Sequence, residues 1–349
     1  MRILDISRDF TIKGDGGSVV TRRNFNLLNE VGKVKSLFVP VPDLKTRLLN
    51  ITLRQSYGET PKLKRQLDES LNEKFDLIFF DGSIYGEWLK RVADRGLKTM
   101  CFFHNVEKVY YEAKANHSGS IADKLMVSYI VHNERLSVIH STYIVALNKR
   151  DSDDLFRIYG RKADLLLPSS FPSANVTGRD NGAEPYLLFV GTNFFANVEG
   201  VKFIIDHIAP LTEMNIKIVG NVNDSFREVQ VPENLEFLGQ VDDISEYYRN
   251  TLAVIAPIFS GSGLKTKTVE ALRYGKTILG TPEAFEGIDI ASNPEIGTVC
   301  STSADFSAAI SALPSSDGIN PASLSLFSST FSDQAALATL KSFLSAQGL

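Results

Sequence analysis

The chain has 349 residues, 43% hydrophobic and 22% charged, with a formal net charge of −4. That length is large for one core and fits two domains of ordinary size, and the acidic balance argues against a dedicated nucleic-acid binder. Two cysteines, Cys101 and Cys300, and five histidines without zinc spacing exclude a disulfide framework and a zinc cluster, which sets the expectation of a reducing cytoplasm.

The opening MRILDISRDF meets charge at Asp5 and Arg8, so it does not read as a signal-peptide core, and no charge-free run is long enough to cross a bilayer. Short apolar runs then alternate with helical-period segments. Strands are predicted at 2–7, 35–39, 75–80, 98–103, 142–146 and 164–167, with helices at 18–31, 61–74, 84–95, 121–140 and 149–159. Such alternation means βαβ crossovers and a parallel sheet. A stretch rich in Pro, Ser, Gly and Asn follows, and residues 171–184 read as a linker. The alternation restarts with strands at 186–190, 216–219, 235–237, 252–256 and 277–279, and helices at 198–208, 244–250 and 265–274. The expectation is α/β: an N-terminal doubly wound domain over 1–170, a second over 185–330, and a closing helix within 331–349.

Ligands in open parallel sheets bind outside the carboxyl ends of the strands. The first loop there, RDFTIKGDGGS, carries Gly14, Gly16 and Gly17; it is either a surface turn or a place where the backbone approaches a ligand. It lacks the third glycine of a dinucleotide fingerprint, and no acid ends the second strand. His104-Asn105-Val106-Glu107 leaves a strand directly; His104 is either a site residue or packing beside a helix cap at Asn105. Gly191, Thr192 and Asn193 follow the first strand of the second half, with Asn197 as an expected N-cap. Asp151 and Asp153 form an Asp-x-Asp pair, read here as the acidic first turn of a helix rather than a metal site.

The strongest segment is SGSGLKTKTVEALRYGK, from Ser260 to Lys276. Its glycines lead into a helix whose free amides bind anions. Lys265 and Lys267 stand in the first turn, where cations oppose the helix dipole unless an anion is present. An i,i+3 pair of Lys267 with Glu270 on a solvated helix is the competing reading.

From Ile255 through Gly261-Ser262-Gly263-Leu264-Lys265-Thr266-Lys267 and Glu270 to Gly280-Thr281, the chain resembles the donor-domain signature of GT-B glycosyltransferases, specifically the retaining family 4. FVGTNFFANVEG over 189–200 resembles that family's first donor-domain strand and loop, and the Gly16-Gly17 and His104 stretches its acceptor-side features. The resemblance implies two Rossmann-like domains facing across a cleft, with the C-terminal helix crossing back to the N-domain. It implies Glu270 on the ribose, and amides from Gly263 through Leu264 to Lys265, with the Lys265 and Lys267 side chains, on the diphosphate. Gly16, Gly17, Gly191, Thr192 and Asn193 would complete the donor site, and His104 would touch the transferred sugar as the catalytic residue.

The implied co-substrate is a nucleoside diphosphate sugar, UDP-sugar foremost, with no metal. The implied reaction is glycosyl transfer to a saccharide or lipid-linked glycan in surface polysaccharide or glycoconjugate synthesis. Ser262, a donor-sugar candidate, stands where the family often has a glutamate eight residues before Glu270, and Thr192 and Asn193 stand where a basic residue is common. Two alternatives share the fold: a nucleotide-sugar 2-epimerase and a non-catalytic nucleotide-sugar binder. Lys45, Arg47, Arg54, Lys62, Lys64 and Arg65 face one acid, Glu59, with leucines interleaved. That stretch is either a solvated helix pair or a peripheral contact with anionic lipid on the inner membrane face.

Overall fold

The computed structural model describes residues 1–10, 16–118, 120–180, 182–261, 264–314 and 318–349. The chain divides into two compact units, Met1–Ser170 with Ala336–Leu349, and Phe171–Ala335. Residues 171–184, expected as a linker, cluster with the second unit, where Phe171 bridges to Ser332.

The first unit is built on six parallel strands: β1 (Arg2–Arg8), β2 (Lys33–Val39), β3 (Leu77–Asp81), β4 (Thr99–Phe103), β5 (Tyr143–Ala146) and β6 (Leu165–Leu166), in the order β2-β1-β3-β4-β5-β6. Successive residues serve opposite faces. Ile78, Phe80, Cys101, Phe103 and Ile144 enter one core, and Leu77, Phe79, Met100, Phe102 and Val145 the other. Strands covered on both sides need apolar residues at every position, which explains the unbroken runs LIFF and MCFF. Helix Asp333–Ala346 buries Ala336, Leu340 and Leu344 in the second of these cores beside Leu27 and Leu28.

The second unit repeats the plan with β7 (Tyr186–Val190), β8 (Asn215–Val219), β9 (Leu235–Gly239), β10 (Ala253–Ala256), β11 (Thr277–Gly280) and β12 (Gly297–Val299), all parallel in the order β12-β11-β10-β7-β8-β9. Leu187, Phe189, Ile218 and Ile255 pack on one face; Tyr186, Leu188, Val254 and Ile278 on the other.

Several boundaries differ from the sequence reading. The 198–208 helix begins at Phe195 and ends in a wide π turn over Ile204–Ile208. The 45–65 stretch forms two helices, Leu44–Leu53 capped by Asp43 and Pro61–Ser70 capped by Thr60. Asp151 exchanges hydrogen bonds with Asn148, each 2.9 Å, as a helix-start motif, and Asp153 pairs with Lys149 and Lys162.

Candidate functional site

In the second sheet β8 and β9 extend from one side of β7, whereas β10 returns to the other side. That reversal of strand order leaves a crevice at the carboxyl ends of β7 and β10. Gly191 leaves β7 there. A Cβ on it would lie 2.8 Å from the Phe189 ring and 3.0 Å from the Asn197 side chain, so glycine is what lets Asn197 fold under the loop. Across the crevice, Gly200 brings its helix close to the loop after β10: an added Cβ would meet the Pro257 carbonyl at 2.6 Å.

Asn197 is not the helix cap. It sits inside the first turn of Phe195–Phe203 and donates Nδ2 to the Thr192 carbonyl at 2.9 Å. Its Oδ1 accepts from Lys267 Nζ at 2.6 Å. Lys267, in the first turn of helix Thr266–Arg273, therefore ties the loop of β7 to that of β10. Its ammonium also lies 4.1 Å from the centre of the buried Phe189 ring. Burial, with the Lys265 charge second, pushes Lys267 down to about 7. The competing Lys267–Glu270 pair does not form, because the ammonium turns inward to Asn197.

Lys265 precedes the helix and pairs with Glu283 at 2.7 Å. Glu270 is half-buried one turn beyond Lys267, and the buried Tyr248 hydroxyl reaches its Oε2 at 3.5 Å. Tyr248 stacks on Tyr274, centroids 4.6 Å apart. Burial raises the Glu270 carboxyl, opposed by Arg273 and the Tyr248 hydroxyl. Thr192 and Asn193 are exposed on the loop, and Leu264 is half-buried against the core. Ser262 and Gly263 lie outside the described residues.

In the first sheet the order reverses between β1 and β3. Gly16 and Gly17 open helix Gly16–Val31 after β1; Gly14 lies outside the described residues. His104 follows β4, and its Nε2 is 3.0 Å from Oδ1 of Asp81, the buried last residue of β3. Helix Glu107–Ser118 begins three residues later, and Glu134 caps it from helix Ile121–His140. The Glu107 and Lys108 amides donate to Glu134 at 2.6 and 3.1 Å, and the Tyr159 hydroxyl donates at 2.6 Å. Asp81, Glu134 and Tyr248 escaped the sequence reading, and Asn197 entered it only as a helix cap. Only Asp81 carried a usable signal, as the acid ending the apolar run LIFFD.

Residues 184–315 match the family described as Glycosyl transferases group 1. A 44.6 kDa protein from the cps region of Klebsiella pneumoniae is 22% identical over 238 residues, 62% of this chain; the match spans 60% of that relative's length. Among solved structures, the lipopolysaccharide outer core galactosyltransferase WaaB superposes with a TM-score of 0.66 at 13% identity, covering 99% of this chain and 100% of that one. HepE of Anabaena, in complex with UDP, gives 0.66 and 13% over 99% and 100%. WaaG, a glycosyltransferase involved in lipopolysaccharide biosynthesis, gives 0.66 and 14% over 100% of both. At such identities these likenesses establish the fold, which is the two-domain α/β fold of the GT-B glycosyltransferases. The family match falls in the second unit, whose residues 184–315 correspond to a glycosyl transferases group 1 domain.

Proposed function

We propose that the protein moves a glycosyl group from a nucleoside diphosphate sugar, UDP-sugar foremost, to a saccharide or lipid-linked glycan, with retention, in surface polysaccharide or glycoconjugate synthesis. One observation carries the reading. Lys267 is a buried cation in the first turn of a helix at the strand-order reversal, with Glu270 one turn on. An anionic leaving group set against Lys267, Lys265 and the start of this helix has its developing charge offset without reorganisation. Glu270 is placed to accept from ribose hydroxyls. Residence of a relative in a cps region and the UDP bound to HepE support the choice of pathway and base.

A panel of nucleotide sugars, with and without glycan acceptors, tests this. Nucleoside diphosphate release that rises with acceptor, unaffected by EDTA, is the expected result. An isomerised donor means an epimerase, and binding without turnover means a binder. A strict need for added divalent metal would overturn the assignment of charge neutralisation to the lysines.

The membrane reading draws support from helix Leu44–Leu53. Leu44, Leu48, Leu49 and Leu53 are 71%, 56%, 49% and 57% exposed, along one helix flanked by Lys45 and Arg54. Helix Pro61–Ser70 buries Leu63 and Leu67 instead and leaves Lys62, Lys64 and Arg65 outward. Among the described residues no helix is long and apolar enough to cross a membrane, so this surface would rest on lipid. We expect co-sedimentation with anionic but not neutral vesicles. Leu48→Ser with Leu49→Ser should weaken it about tenfold or more, since each buried leucine contributes roughly 1.5–3 kcal/mol. Equal binding by the double variant would remove the leucines from the contact.

A further inference from the structure

We propose that Asp81 is the positioning residue for His104, holding the imidazole as its Nε2-protonated tautomer and leaving the Nδ1 lone pair to accept from a sugar hydroxyl. This rests on the reading of His104 as a contact to the transferred sugar.

The side chains meet because β3 and β4 are parallel neighbours in the first sheet, and Asp81 and His104 leave them at the same end. Asp81 Oδ1 takes His104 Nε2 at 3.0 Å and Asn24 Nδ2 at 2.7 Å. Burial pushes the Asp81 carboxyl up, but the His104 interaction and the Asn24 bond outweigh it and hold it below its ordinary range. An ionised carboxylate only accepts, so the proton on the facing nitrogen must belong to histidine. Asp5, buried on β1, takes the opposite part: burial, with the Asp81 charge second, lifts it to about 7. Of the two buried acids, Asp81 is thus the one that carries the charge. The ring is held from a second side by Phe102, edge-on at 5.1 Å, with Arg23 over the Phe102 ring at 5.5 Å.

Asp81→Asn keeps the shape and offers His104 an amide N–H, which favours the other tautomer. Long-range nitrogen–proton NMR of the imidazoles reads this directly, with His104 assigned by its loss in His104→Gln. The wild type should show the Nε2-protonated form and Asp81→Asn a shift towards Nδ1–H. Turnover should fall about 100-fold in either single variant while the donor KM stays within about threefold. Adding Asp81→Asn to His104→Gln should cost less than about threefold more, because the two act as one unit. Asn24→Ala, which removes only the structural bond, should keep the wild-type tautomer. An Nδ1-protonated wild type overturns the proposal even if Asp81→Asn does not fold, as do multiplicative losses in the double variant. A tautomer that switches without loss of turnover sinks the sugar-contact reading of His104, and with it the part assigned to Asp81 in transfer.

Discussion

Lys267→Met is expected to lower affinity for uridine diphosphate by about 30-fold, roughly 2 kcal/mol, the worth of a charge-assisted hydrogen bond in a protected site. Calorimetry should show more than the loss. Without ligand, burial and the Lys265 charge hold Lys267 at about 7, whereas an adjacent diphosphate draws it back towards its ordinary value of 10.5. Binding at pH 8 should therefore take up about one proton, seen as an enthalpy that varies with the buffer's ionisation heat. Because the complex holds more protons than the free protein, affinity falls as pH rises from about 7.5, by up to about tenfold per unit. The ligand's terminal phosphate, ionising near about 6, is already spent as a source of this effect.

Lys267→Met should flatten the profile, whereas Glu270→Ala should weaken binding and leave proton uptake intact, since ribose contacts carry no charge change. A flat profile in the wild type between pH 7.5 and 9 would place the anion elsewhere. The same shift acts on folding with a definite sign. The unfolded chain binds the extra proton between about 7 and 10.5, so in that window this lysine's contribution to stability rises with pH.

Both sheets were legible because parallel strands covered on two faces leave apolar runs bounded by turn residues, as at YLLFV and AVIA. Three kinds of feature were not. Short or weakly patterned elements escaped, including β12, helix Glu107–Ser118 and helix Ser303–Ser311, although the last starts with a capping box of Thr302 and Asp305 that the sequence does spell out. Side-chain direction escaped too. Lys265 and Lys267 read alike as cations of one phosphate cradle, yet one pairs with Glu283 and the other turns under an asparagine, while Lys276 in the same segment is walled into the core. Partners distant in sequence were the third kind: Asp81 meets His104 and Asn24 only because β3, β4 and the first helix converge, and periodicity carries no trace of that. The glycine and lysine pattern located the candidate site; which atoms face one another came from topology.

Lys276→Met should lower the stability of the second unit by about 3 kcal/mol. Lys276 is fully buried, and its ammonium donates to the carbonyls of Arg249, Thr251 and Gly318 at 3.0, 3.1 and 2.9 Å. Two opposing terms decide the size of the effect. Keeping an ammonium out of water costs several kcal/mol, so deleting the charge recovers part of that. The deletion also takes the lysine's donor from three converging carbonyls, each loss costing about 1–3 kcal/mol, and methionine supplies none. The carbonyls outweigh the charge because the three bonds already offset its desolvation in the native state. At roughly 2–4 °C per kcal/mol for a unit of this size, the melting midpoint should drop by about 6–12 °C. Lys276→Arg should not rescue it, since a planar guanidinium cannot aim its donors at three carbonyls converging on one point. Below the transition, uridine diphosphate affinity should stay within about twofold, because Lys276 faces away from the crevice into backbone. An unchanged midpoint would mean that water or a shifted backbone satisfies those carbonyls. A stable variant that no longer binds nucleotide would instead bring Lys276 into the phosphate site.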